Sequence, residues 1–315
     1  MPNTFTSLSK PVRISEHHWP EGTTPLVSVC CISYNHVNFI RDAIEGFLMQ
    51  ETTFPVEILI YDDASTDGTA DIVCDYQQRY PRLIKAIYQN VNQYSQGKRV
   101  SVHLLDIQKS KYIAICEGDD YWIDEKKLQI QADFLQDNPK VVITYTDSQA
   151  FDENGLLEID FGGARRDLTC DELLRSPSIF TLTVMYRNII NLPPEFSVVS
   201  YGDLSTWSLL GEFGSGKYLD NIKPSFYRVH DGGIHSSAEP YKRRIMSLKT
   251  ELGQMAYFER IGKSELSRYY RRRMLSDLVA IEGLNVSIFI LLKQILKDIG
   301  PFYFLLSKCR SLFTR

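Results

Sequence analysis

Tyr112-Ile113-Ala114-Ile115-Cys116-Glu117-Gly118-Asp119-Asp120-Tyr121-Trp122 is the stretch that decides how this chain folds. Its apolar, β-branched opening reads as a buried strand, and the strand runs straight into three acids within four residues. Buried parallel strands deliver the residues at their carboxyl ends into the crevice where open α/β sheets bind ligands. Carboxylates crowded there repel one another unless a cation or a proton is shared, and leaving them charged without compensation is costly. Mg2+ or Mn2+ meets that need, taking oxygen ligands from one or two carboxylates and from substrate phosphates. The run therefore predicts a metal-assisted site for a phosphorylated substrate.

Working outward, the same pattern recurs. Leu26–Ile32 is an apolar strand ended by Ser33-Tyr34-Asn35, and Glu57–Tyr61 is another, ended by Asp62-Asp63-Ala64-Ser65-Thr66-Asp67-Gly68. Between them Phe39, Ile40, Ala43, Ile44, Phe47 and Leu48 form one helical stripe, with Asn38 as its expected N-cap. A helix through Ile72, Val73 and Tyr76, a strand Leu83–Tyr88, a helix over 101–110, a helix through Leu128, Ala132 and Leu135, and a strand Val141–Tyr145 follow. Alternation at these lengths means βαβ units and a mostly parallel sheet. The middle, 150–200, is less regular, with one strand expected at Phe180–Tyr186, and from 240 onward the chain reads as helical. Adjacent parallel strands would bring Tyr34 and Asp63 to one sheet edge. An aromatic face beside a carboxylate acceptor suits a nucleobase bearing an N–H.

Bulk properties narrow the class. The 315 residues are enough for one large domain and an appendage. A net charge of −4 argues against a dedicated nucleic-acid binder. The six cysteines lack metal-ligand or disulfide spacing, so a reducing compartment is expected. The first residues show no basic region followed by an apolar stretch, so no signal peptide is read and a cytoplasmic location is expected.

The strand ending in Ser33-Tyr34-Asn35, the Tyr61-Asp62-Asp63-x-Ser65-x-Asp67-Gly68-Thr69 turn and Glu117-Gly118-Asp119-Asp120-Tyr121-Trp122 before a helix together resemble the family 2 glycosyltransferases of the GT-A fold. The likeness is dense over 25–150 and sparser to about 235. It implies a Rossmann-like sheet flanked by helices, divided as a leader 1–24, a GT-A domain 25–238 and a helical extension 239–315. Within the domain, 25–150 would be the nucleotide-sugar half and 151–238 the acceptor half. It further implies that Tyr34 and Asp63 contact uracil, that Ser33, Asn35, Asp62 and Ser65 lie at the nucleotide, and that Asp119 and Asp120 sit at the ribose and the metal-bridged diphosphate. The first acid of the family's usual Asp-x-Asp is Glu117 here, a methylene longer in reach.

Downstream, Tyr201-Gly202-Asp203-Leu204 resembles the family's acidic motif at the start of an acceptor-side helix, where Gly202 stands in place of Glu. Asp203 is the expected general base and could equally be a helix N-cap; the roles are compatible. Tyr227-Arg228-Val229-His230 resembles the family's closing segment, with Arg228 expected at the diphosphate and His230 either completing the metal shell or standing as a plain surface residue. His17, His18, His36, His103 and His235 carry no such signal. The resemblance implies an inverting hexosyltransferase that moves a hexose or N-acetylhexosamine from a UDP-sugar to a glycan acceptor, with Mn2+ or Mg2+. The acceptor is expected to be lipid-linked, at the inner face of the membrane, in the synthesis of surface polysaccharide such as O-antigen or capsule.

Residues 284–315 alternate apolar runs with Lys293, Lys297, Lys308, Arg310 and Arg315. They fall short of a bilayer span of ~20 apolar residues and suit either a packed helix or a membrane-surface contact. Rival readings are a metal-dependent nucleotidyltransferase acting on sugar phosphates, a non-catalytic sugar-nucleotide binding module, and a membrane adaptor. The first would want a glycine-rich, lysine-bearing phosphate loop where this chain has Ser33-Tyr34-Asn35.

Overall fold

The computed structural model describes residues 5–98, 109–233 and 239–280. The expected helix over 101–110 lies almost wholly outside them, as does 284–315. Contacts divide the chain into two compact units, 1–190 with 207–231, and 191–206 with 232–315.

The first unit is built on a seven-stranded sheet ordered β11-β7-β10-β6-β2-β4-β5. Its strands are β2 (Val27–Ser33), β4 (Val56–Asp62), β5 (Ile84–Tyr88), β6 (Tyr112–Ile115), β7 (Val141–Tyr145), β10 (Met185–Arg187) and β11 (Ser215–Tyr218). A short pair, β1 (Val12–Arg13) with β3 (Glu51–Thr52), stands apart. Strands β6, β2, β4 and β5 are parallel, as are β7 and β11. Only β10 runs antiparallel to its neighbours β6 and β7. The sheet is mixed, mostly parallel and flanked by helices, the architecture the sequence predicts.

Burial on both faces explains the apolar runs. Every residue of β4 is buried, and β2 is buried except Ile32, as parallel strands covered by helices require. Helix α1 (Ile40–Leu48) covers the sheet with Ile40, Ala43, Ile44, Phe47 and Leu48, each such large apolar side chain contributing about 1.5–3 kcal/mol. Helix α1 also fixes the acidic run: a Cβ at Gly46 would lie 2.9 Å from the Trp122 carbonyl oxygen, and Phe47 meets the Trp122 ring edge-on at 5.0 Å. Helices α2 (Thr69–Arg79) and α3 (Lys127–Asp137) complete the layers.

Two local expectations are corrected. Helix α1 begins at Ile40 with Phe39 at its N-cap position and no side-chain cap, so Asn38 does not cap it. Phe180–Tyr186 is not one strand: Thr181–Thr183 forms a 3-10 turn, and only Met185–Arg187 pairs in the sheet. The irregular middle also contains β8 (Ser148–Asp152), β9 (Gly155–Leu156) and α4 (Cys170–Leu174), the last closed by a capping box between Thr169 and Glu172. Strand β12 (Ser225–Arg228) lies parallel to β8, and Tyr121 and Phe226 exchange backbone hydrogen bonds of 3.2 and 2.9 Å. That bridge carries Arg228 and His230 to the acidic run.

The second unit is helical. Antiparallel α6 (Pro240–Arg260) and α7 (Ser264–Ala280) pack through Leu248, Leu278, Ile245 and Met274, and Phe258 stacks on Tyr270 at 5.7 Å. A Cβ at Gly253 would lie 2.6 Å from Val199 Cγ1, so the glycine lets α6 reach the 3-10 turn Pro194–Val198, where Glu195 pairs with Arg260. The unit boundary falls within helix α5 (Gly202–Leu210). No described helix is long and apolar enough to cross a membrane, and the described cysteines are free.

Candidate active site

Strands β2 and β4 pair with Ser33 opposite Asp62, and the Asp63 N–H donates to the Ser33 carbonyl at 2.9 Å. The two loops that leave this edge are woven together by side chains. Asn35, in the left-handed region at φ 56°, accepts from the Thr66 N–H through Oδ1 at 2.9 Å and donates its own N–H to Ser65 Oγ. Asp62 accepts from the Ser65 N–H and hydroxyl at 3.0 and 2.5 Å. Ala64 sits at φ 64°, a conformation costing an L-residue of order 1 kcal/mol and found where a fold over-determines a functional turn. Asp67 accepts from the Val37 N–H, the Thr69 N–H and the Thr69 hydroxyl. Burial would raise its pKa, but these donors win and hold it below the usual carboxylate range.

Asp63 is buried, and its two oxygens accept the N–H groups of Gln93 and Tyr94 at 2.8 and 3.0 Å. A carboxylate has about four acceptor positions, so this leaves capacity for a further donor. Tyr34 and Tyr94 are exposed on the loops that flank it.

Across β2, the acidic run leaves β6. A Cβ at Gly118 would lie 2.8 Å from Ile40 Cδ1 and 3.0 Å from both His36 Nδ1 and Ser33 Cβ. Only glycine lets this backbone pass against the β2–α1 loop. Glu117 accepts from the Thr181 hydroxyl at 2.8 Å. The Thr181–Thr183 turn is itself held by Trp122 Nε1, which donates to the Leu182 carbonyl, and by Lys127 Nζ and Gln131 Nε2, which donate to the Thr183 carbonyl. Burial lowers the Lys127 pKa to about 7. Neither Thr181 nor Lys127 was legible as a site residue, because each acts through this turn.

Asp119 Oδ2 lies 3.1 Å from His230 Nε2 and 3.7 Å from His36 Nε2. Burial pushes the Asp119 carboxyl up, but the bond to His230 and the charge of His36 outweigh it, and its pKa lies below the usual value. Burial lowers the His36 pKa, against the pull of Asp119. Two buried atoms here, Asp119 Oδ1 and His36 Nδ1, have no hydrogen-bond partner among the described residues. His36, Asp119 and His230 each offer a ligand atom within 4.8 Å of the others.

Asp120 is not a member of that group. It is 4 % exposed, and its Oδ1 accepts the Arg228 N–H at 2.8 Å. Burial, then the charges of Asp119 and Glu117, push its pKa well above the usual carboxylate value. The Arg228 guanidinium is packed between Phe39 and Phe151 at 4.6 and 4.5 Å. It donates to the Asp119 carbonyl and to Asp42 Oδ2 at 2.9 and 2.7 Å. These contacts make it a clamp between the acidic run and α1.

Ser33, Tyr34, Asn35, Asp62, Asp63, Ser65, Glu117, Asp119, Asp120, Arg228 and His230 thus belong to one unit and to the carboxyl-terminal edge of one sheet or the segments bound to it. Asp203 belongs to the other unit, in the first turn of α5. There the Tyr201 N–H donates to Thr250 Oγ1 and the Thr206 hydroxyl to the Gly202 carbonyl, anchoring the helix start.

A donor set of two imidazoles and a carboxylate, with an unpartnered buried oxygen, fits a divalent cation. The profile of the family described as Glycosyl transferase family 2 matches residues 28–180. An uncharacterized protein of Mycobacterium tuberculosis is 39% identical over 229 residues, 70% of this chain and 63% of that protein, so the chain spans under two thirds of that relative's length. The putative teichuronic acid biosynthesis glycosyltransferase TuaG of Bacillus subtilis is 30% identical over 75% of this chain and 91% of its own length. The Escherichia coli UDP-Glc:alpha-D-GlcNAc-diphosphoundecaprenol beta-1,3-glucosyltransferase WfaP is 28% identical over 70% of this chain and 83% of its own. Among solved structures, S. aureus TarS in complex with UDP aligns at TM-score 0.56 and 16% identity, covering 87% of this chain and 79% of that one. The Pyrobaculum calidifontis mannosyltransferase PcManGT, in complex with GDP-Man and Mn2+, aligns at TM-score 0.52 and 15% identity over 96% and 82%.

Proposed function

We propose, from the premise that this chain belongs to glycosyl transferase family 2, that it is an inverting glycosyltransferase. It moves a hexose or N-acetylhexosamine from a UDP-sugar to a hydroxyl of a lipid-linked glycan, at the cytoplasmic face of the membrane, in surface-polysaccharide synthesis. The observation that carries the reading is the Asp119–His230 pair with its orphaned buried oxygen, beside the Tyr34 and Asp63 loops on one sheet edge. The names of TuaG and WfaP support the biosynthetic setting, and WfaP the UDP donor and lipid-linked acceptor.

Each residue has a task. Tyr34 offers an exposed ring to the uracil, and Asp63, fixed by two backbone donors, accepts the uracil N–H. Ser33, Asn35, Asp62 and Ser65 hold the loop that shapes this pocket. Glu117, set by Thr181, faces the ribose. Asp119 and His230 would hold Mn2+ or Mg2+, and Mn2+ is the ion of the PcManGT complex. When bound, the cation neutralises charge that grows on the departing UDP. Asp120 and Arg228 secure the closing strand through the hydrogen bond between them.

Asp203 takes the proton from the acceptor hydroxyl as its oxygen bonds to the anomeric carbon and the bond to the diphosphate breaks on the opposite face. One displacement inverts that centre. Base catalysis of this kind supplies ~10²–10⁴-fold, and positioning and leaving-group stabilisation supply much of the remainder. A screen of nucleotide sugars for hydrolysis and transfer, with and without Mn2+, tests the reading. Asp203→Asn is expected to keep UDP-sugar affinity and lose transfer; unchanged turnover would remove Asp203 from the reaction, and full activity in chelator would remove the cation.

A further inference from the structure

We infer that His36 is the third protein ligand of this cation site, making a His–Asp–His set that takes Mn2+ or another first-row transition ion in preference to Mg2+. The inference rests on the metal-assisted reading above and adds a residue and a selectivity to it.

Three separated segments supply the set: the β2–α1 loop, the end of β6 and the end of β12. His36 is held in place before any ion arrives. Its N–H donates to Thr69 Oγ1 at 2.8 Å, and its carbonyl accepts the Phe39 and Ile40 N–H groups at the start of α1. The missing Cβ of Gly118 makes room for its ring, whose Nδ1 would otherwise meet that carbon at 3.0 Å. His230 is fixed from the other side, its ring 4.7 Å from Phe39 and edge-on to His36 at 6.1 Å. The anchored clamp of Arg228 precedes it by two residues.

A purely structural His–Asp–His network would use up its polar atoms, as buried groups in folded proteins almost always do. This one leaves Asp119 Oδ1 and His36 Nδ1 without partners among the described residues. Preorganised ligands on a fixed shell, with an acceptor left over, describe a site awaiting a cation. Donor chemistry then sets the preference. Mg2+ favours oxygen ligands and keeps its waters, whereas imidazole nitrogens favour first-row transition ions.

The test uses the full chain with UDP present. Pulsed EPR of bound Mn2+ counts coordinated imidazole nitrogens in the wild-type protein; two supports the inference and one overturns it. Mn2+ affinity, read from the free-ion EPR signal, is expected to fall at least ~10-fold in His36→Gln. The preference for Mn2+ over Mg2+ should shrink, and the visible spectrum of the Co2+-loaded protein should change. Unaltered Mn2+ affinity and an unaltered Co2+ spectrum in folded His36→Gln would reject His36 while leaving Asp119 and His230 standing. Absence of any Mn2+ binding by the wild type would instead remove the metal-assisted reading and this inference with it. His36→Gln folding is checked by circular dichroism, and the wild-type nitrogen count decides the question whatever that variant does.

Discussion

Two stretches of one sheet edge carry clustered carboxylates and treat them in opposite ways. In the turn after β4, Asp62, Asp63 and Asp67 each collect at least two backbone or hydroxyl donors. After β6, Asp119 ends with an oxygen that nothing in the described residues meets, and Asp120 is driven toward its protonated form. The difference lies in the supply of donors. The Asp-x-Ser-x-Asp-Gly-Thr turn supplies donors from Ser65 and Thr69, and the loops beside it supply the N–H groups of Gln93, Tyr94 and Val37. In the acidic run the N–H groups of Gly118, Asp120 and Tyr121 already donate to Ile32, Glu117 and Phe226 carbonyls. One cluster is satisfied by N–H and hydroxyl donors of its own turn and the neighbouring loops; the other asks for charge from outside.

The largest effect that could break this contrast is on turnover. Asp119→Asn is expected to lower kcat by ~10³-fold, about 4 kcal/mol, since it weakens the carboxylate that the described residues bring to the cation site. Asp63→Asn keeps shape but exchanges an acceptor for a donor, so donor KM should rise roughly 10-fold, about 1.4 kcal/mol, with kcat little changed. Steady-state kinetics with a UDP-sugar separates the two patterns. Equal losses in kcat would mean that both clusters bear on the reaction in the same way.

A smaller effect sharpens it. Mn2+ at 100 times its Kd is expected to stabilise the fold by about 2.7 kcal/mol. Calorimetry should show an upward shift in Tm for wild type and Asp63→Asn, and none for Asp119→Asn. A shift that survives Asp119→Asn would place the ion elsewhere.

Legibility followed the same divide. The sheet was readable because its strands are apolar runs with acids at their carboxyl ends, and β2, β4 and β6 fall where those runs stand. That Ser33 and Asp62 stand opposite each other, one residue ahead of Tyr34 and Asp63, followed from parallel pairing alone. His36 was not readable: one histidine after Ser-Tyr-Asn has no periodicity, and its meaning comes from a loop folded against Gly118, 82 residues on. Arg228 stood out in the sequence through its place in Tyr227-Arg228-Val229-His230, but its contacts with Phe39, Phe151 and Asp42 depend on three chain segments meeting. Asn38 looked like a cap, yet Thr69 and Asp67 reach across from the next loop to take the N–H groups of His36 and Val37. Long-range acceptors overrode a local signal.

Glu251 carries the contrast into the helical unit, where a third solution to an orphaned carboxylate is a proton. Its Oε1 accepts from Arg273 Nε at 2.9 Å, while the buried Oε2 has no partner among the described residues. Burial raises its pKa to about 7, with Asp277 adding to the shift and Arg273 opposing it. The folded state therefore holds this proton more tightly than the unfolded chain, whose Glu titrates near ~4.3. Stability from this group is fully present below that lower value and is lost as pH rises toward 7; above 7 the loss is complete and constant. The difference in unfolding free energy between wild type and Glu251→Gln, followed by urea titration from pH 4 to 8, isolates it from the histidines that titrate in the same window. Wild type should lose up to about 4 kcal/mol relative to the variant across that range, since the two pKa values lie about 2.7 units apart. A difference that stays flat would mean that Arg273 alone satisfies Glu251 and that its second oxygen needs neither a proton nor a cation.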